Sequence, residues 1–152
     1  MSETKQVAGI PLLDVAVALV RADEQVLVVY NDEWKTFTLP MTKRQEWAAP
    51  EVPEVSERQE EWIEAAARAA AEWLGRTLEP AEITGIPLVD DSQYTQSDRD
   101  GIIKRYHFQV FEVKTTKSER LVPGAVAEWL TLQELRMRRP VSSTTRFLIG
   151  LL

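Results

Sequence analysis

The residues with the clearest potential for chemistry lie in SERQEEWIEAAARAAAEWLGR, residues 56–76, where Glu57, Glu61, Glu64, Arg68 and Glu72 would form one charged stripe at helical spacing. Glu72 is the only carboxylate within a turn of itself, because the positions three and four residues away are Arg68, Ala69, Gly75 and Arg76. Glu64 stands eight residues back, about 12 Å along a helix, so the two cannot readily share one cation. Beside that stripe run Trp62, Ala66, Ala69 and Trp73, a face suited to apolar packing or to stacking on a planar ligand. His107 is the only histidine and sits in an apolar strand-like run, which favours a structural or surface role; cysteine is absent. Thiol nucleophiles, disulfides, cysteine-ligated zinc and multi-histidine metal sites are thereby excluded.

The elements that must position these residues are legible in outline. Ser56 followed by Gln59 has the form of a capping box, Ala dominates the interior, and Gly75 supplies a stop, so a helix over 56–76 is predicted. Before it, Leu13 to Val20 and Gln25 to Tyr30 read as a β-hairpin, Thr36 to Leu39 as a short strand, and Met41 to Val55 as a long loop. After it, Ile83 to Val89 reads as a strand, Asp90 to Gly101 as a polar loop and Ile102 to Val113 as the longest strand. Ala127 to Leu130 is a strand running into a capping box, Thr131 to Glu134, and Ser142 or Ser143 caps a final short helix. Strands, a long helix, strands and C-terminal helices predict an α/β or α+β sandwich.

At 152 residues with 44% hydrophobic content, a single domain over 1–152 is expected, with residues 1–12 as a polar lead-in. The net charge of −6 argues against an extended nucleic-acid surface; Arg136, Arg138 and Arg139 form the one basic cluster, either a solvated helix end or a contact for a phosphate or acidic partner. No stretch reaches the ~20 apolar residues of a membrane span, and a cytoplasmic protein is expected.

The central helix resembles the signature of the Nudix hydrolase family, G-x5-E-x7-R-E-U-x-E-E-x-G-U, where U is bulky and aliphatic. With Arg68 on the signature arginine, Glu60 falls on the first glutamate, Glu72 on the first of the paired glutamates and Gly75 on the closing glycine. The hairpin VAVALVRADEQVLVVY, the Leu39-Pro40 pair and EWLTLQEL extend the resemblance over residues 15–135. It implies an α/β/α sandwich with a mixed sheet around the signature helix, Mg²⁺ or Mn²⁺ as cofactor in active members, Glu60 and Glu72 as remnant metal positions, and Arg68 and Glu72 as catalytic positions.

The departures fall on the acids: Glu54 replaces the opening glycine, and Ala69, Trp73 and Arg76 replace a glutamate, the second paired glutamate and the last aliphatic residue. A hard cation needs several oxygens around one point, and the site that should supply them is Trp62, Ala66, Ala69 and Trp73. Two readings follow. One is a catalytically impaired Nudix-like protein that binds a nucleotide-type small molecule, another protein or a second copy through Trp62 and Trp73. The alternative is an active Mg²⁺-dependent hydrolase of nucleoside diphosphate derivatives whose ligands lie outside the signature, with Asp90, Asp91, Asp98 and Asp100 as candidates.

Overall fold

The computed structural model describes residues 6–7, 10–44, 46–48, 56–88, 92–96, 102–117, 119–138 and 140–152. Its strands are β1 (Gln6–Val7), β2 (Ile10–Ala22), β3 (Gln25–Asn31), β4 (Thr36–Thr38), β5 (Met41–Lys43), β6 (Glu46–Ala48), β7 (Ser56–Gln59), β8 (Ile83–Ile86), β9 (Ser92–Gln96), β10 (Ile103–Lys114) and β11 (Ala127–Thr131); its helices are α1 (Trp62–Leu74), α2 (Leu132–Met137) and α3 (Ser143–Ile149).

The run VAVALV in β2 alternates its side chains between two cores, which is why it is apolar without interruption. Ala16, Ala18 and Val20 join Leu27, Val29, Phe111 and Val113 beneath the small residues of α1, Ala65, Ala66, Ala69 and Ala70. Val15, Val17 and Leu19 face the other way, with Val26, Val28, Phe108 and Val110 beneath Leu135 of α2 and Leu148 of α3. Each large aliphatic side chain buried here contributes about 1.5–3 kcal/mol. Helices on both faces of one sheet make an α/β/α sandwich. The sheet is mixed: its main path among the described residues runs β11, β3, β2, β10, β8, with β2 and β10 parallel and the other pairs antiparallel.

The β2–β3 hairpin opens into a fork. The two strands pair only near their turn, at Arg21 with Val26 and Ala22 with Gln25; further out β3 takes β4 as partner and β2 takes β5. Leu39 and Pro40 carry the chain across the gap, with Ala18 N–H donating to Pro40 O at 2.9 Å. The floor of the fork is pinned from below by a buried hydroxyl network at the start of α3, where Thr145 Oγ1 lies 3.0 Å from Thr38 Oγ1 and accepts from Leu39 N–H at 3.0 Å. Ser142 is the α3 cap, its hydroxyl accepting from Thr145 N–H.

Several sequence expectations are corrected. The helix does not begin at Ser56: residues 56–59 are β7, paired with β6 (Glu46 with Gln59, Trp47 with Arg58), and the helix starts at Trp62. The competing cap lies one turn later, where Glu64 Oε1 accepts from Glu61 N–H at 3.0 Å, and Arg44 Nε donates to Glu60 O at 2.9 Å, holding Glu60 outside the helix. The expected loop 41–55 accordingly contains β5 and β6; residues 49–55 lie outside the described part. The expected polar loop 90–101 contains β9, which pairs with β10 from Gln96 opposite Ile103 to Ser92 opposite His107. The hairpin, the strands at 36–38 and 127–131 and the Thr131–Glu134 cap stand as expected.

Candidate functional site

The signature residues separate into two groups. Glu60 and Arg68 meet as a structural clamp. Glu60 is 4% exposed, and Arg68 grips its carboxylate in a fork, Nε to Oε2 at 3.1 Å and Nη2 to Oε1 at 2.9 Å. The same guanidinium donates to Thr42 Oγ1 at 3.0 Å and to Lys43 O at 2.8 Å, tying α1 to β5. Four of its five N–H donors are thus directed to the protein itself.

Trp62 belongs to a neighbouring cluster. Arg44 lies over its ring, 4.6 Å from the centroid, and His107 meets it edge-on at 5.4 Å. Asp14 contacts both, 3.1 Å from Arg44 Nη1 and 3.4 Å from His107 Nδ1. Trp62 and Trp73, on one helical face in the sequence, therefore serve different surroundings: Trp62 packs under Arg44, whereas Trp73 borders a cavity.

That cavity, about 260 Å³, sits in the fork between β2 and β3. Residues 38–43 form its floor, Glu72 and Trp73 enter from α1, Glu33 and Trp34 from the β3–β4 turn, Lys104 and Tyr106 from β10, and Ser143 and Thr144 from α3. Trp34 is placed by its own turn, its backbone N–H donating to Asn31 Oδ1 at 2.9 Å. Of the sequence-predicted site residues, Glu72 and Trp73 line the cavity, while Glu60, Arg68 and Trp62 do not. Trp34, Lys43, Lys104 and Tyr106 were missed because they converge from separate elements; the one sequence signal was an aromatic, Trp34, in a tight polar turn.

Among the described residues the donor set fits a hard divalent cation poorly. Ala69 is 1% exposed in the core beneath α1, Glu60 is taken by Arg68, and the described carboxylates at the cavity are Glu72 and Glu33. Among the described residues no group of three or more His, Cys, Asp or Glu could hold a metal ion; Asp90, Asp91, Asp98 and Asp100 lie outside them. The basic cluster is also partly accounted for: Arg138 binds both oxygens of Glu128 at 2.8 and 2.9 Å and covers Phe37, which holds the Glu128 carboxyl below its usual range and raises Arg138; Arg139 is not described. Among the described residues no helix is long and apolar enough to cross a membrane.

No protein-family model and no curated protein matches the sequence. Solved structures do match over nearly the whole chain. A MutT NUDIX hydrolase from Burkholderia pseudomallei is similar at TM-score 0.60 and 20% identity, covering 93% of this chain and 98% of that one. The MutT protein from Methanosarcina mazei Go1 aligns at TM-score 0.59 and 17% identity over 95% and 94% of the two chains. The Ap4A hydrolase of C. elegans aligns at 0.55 and 14% over 91% and 94%. At these identities the likeness establishes the fold: the chain has the Nudix fold.

Proposed function

We propose that this chain is a Nudix-fold binding protein that holds a nucleotide-type ligand in the fork cavity without a divalent metal and does not hydrolyse it. The observation that carries this reading is the pairing of Glu72 with Trp73 at the cavity wall. Where two adjacent acids would converge on phosphate-bound metal, the helix offers one carboxylate and an indole, and the remaining signature acid is bound to Arg68. Trp34, Trp73 and Tyr106 supply planar apolar surface, Lys43 and Lys104 supply cations, and Asn31, Thr42 and Thr144 supply hydrogen-bonding side chains, the composition expected of a small-molecule site. One of the solved neighbours is an Ap4A hydrolase, which supports a nucleotide-type ligand class.

The alternative, an active hydrolase with metal ligands outside the signature, is favoured by one observation: Glu33, from the β3–β4 turn, brings a second carboxylate to the same cavity. Turnover separates the two. Incubation with Mg²⁺ or Mn²⁺ and a panel of nucleoside diphosphate derivatives and dinucleoside polyphosphates should release no phosphate or nucleotide above the protein-free rate. Sustained turnover of any member, abolished by Glu72→Gln, would overturn the proposal.

A further inference from the structure

Resting on that reading of the cavity, the geometry points to a narrower ligand class: a nucleoside, or a nucleoside carrying no more than one phosphate, in place of a di- or triphosphate. Three independent features lead there. The first is size. At about 260 Å³ the cavity falls just below the roughly 300–1,000 Å³ typical of sites for drug-sized ligands, so its walls match the bulk of a base and a sugar.

Charge is the second. The Lys, Arg, Asp and Glu side chains lining the cavity among the described residues are Lys43, Lys104, Glu33 and Glu72, two of each sign, so the wall is balanced and not cationic. An unchelated triphosphate brings several negative charges, and here it would meet two carboxylates and a chain of net charge −6 with no metal to offset them. Two lysine charges are of the order of one phosphate's charge and well short of a triphosphate's.

The third is the kind of surface. Trp34, Trp73 and Tyr106 line a space also lined by Asn31, Thr42 and Thr144, so its composition is weighted toward a planar ring and its polar edge. Stacking of a base on one such aromatic is worth about tenfold or more in affinity, and it is indifferent to the phosphates.

Titration of tryptophan fluorescence of the full chain in EDTA tests this, using the four common ribonucleosides with their 5′-monophosphates and 5′-triphosphates. At least one nucleoside should quench saturably, its monophosphate should bind within a few-fold of it, and its triphosphate should bind about tenfold more weakly or worse. Trp34→Ala should weaken the nucleoside about tenfold with an unchanged thermal melt, and Trp34→Phe should restore most of the loss. Affinity that tightens with each added phosphate would overturn this inference while leaving the metal-free ligand site in place. Absence of binding by every member would overturn both.

Discussion

Arg68 keeps its signature position and also serves as a structural tie. Its spacing from Glu60 matches the family pattern, yet its donors go to Glu60, Thr42 and Lys43, and neither partner of the ion pair lines the cavity. Removing the guanidinium would take two charge-assisted hydrogen bonds from the Glu60 side chain, which is 6% exposed. Because the Arg68 side chain is itself 39% exposed, part of the electrostatic loss is screened, and Arg68→Ala should destabilise the chain by about 2–3 kcal/mol in chemical denaturation. Arg68→Lys should recover less than half of that, since an ammonium cannot reproduce the fork. A near-neutral Arg68→Ala would show that the clamp is not a structural element.

The element that places Glu72 and Trp73 is the C-terminal half of α1, and it is fixed from outside. Gly75 takes φ +69°, and a Cβ there would stand 3.0 Å from Val122 Cγ1; Val122 N–H donates to Trp73 O at 2.9 Å. Arg76 then bridges to Glu119 at 2.5 Å and to Glu82 at 3.0 Å. The Arg76 guanidinium, with burial opposing it and the Thr115 hydroxyl assisting, holds the Glu119 carboxyl below its usual value. A carboxyl depressed in the folded state contributes stability that is present above its unfolded value and is lost as pH falls through its folded one. The melting temperature should therefore decline as pH drops below about 4.5, and Glu119→Gln should be less stable at neutral pH with a shallower decline on the acid side. Parallel pH profiles for the two proteins would contradict the assignment. The stop at Gly75 was legible in the sequence, because few residues other than glycine tolerate that backbone conformation. The start of the helix was not. Ser56 and Gln59 carry a valid capping pattern, but β6 offers their backbone a partner, a choice made by tertiary pairing that local spacing does not record.

At the scale of the molecule, the fold was legible because its two cores are written as alternation in β2 and as an Ala-rich face in α1. What the sequence concealed is the content of the fork. β6, β7 and β9 are polar strands with no apolar alternation to announce them, and the cavity collects Trp34, Lys43, Glu72 and Lys104 from positions far apart along the chain. On the proposed reading, the same assembly lets the fold hold a planar ligand with its usual acids replaced: the fork makes the cavity, and the helix lines one side of it. The central claim is that this cavity works without a metal. Calorimetric titration of the chain with Mn²⁺, with and without a bound nucleoside, tests it most directly. The account predicts no saturable heat in either case and a nucleoside affinity unchanged by the cation. A stoichiometric Mn²⁺ site that disappears in Glu72→Gln would contradict it.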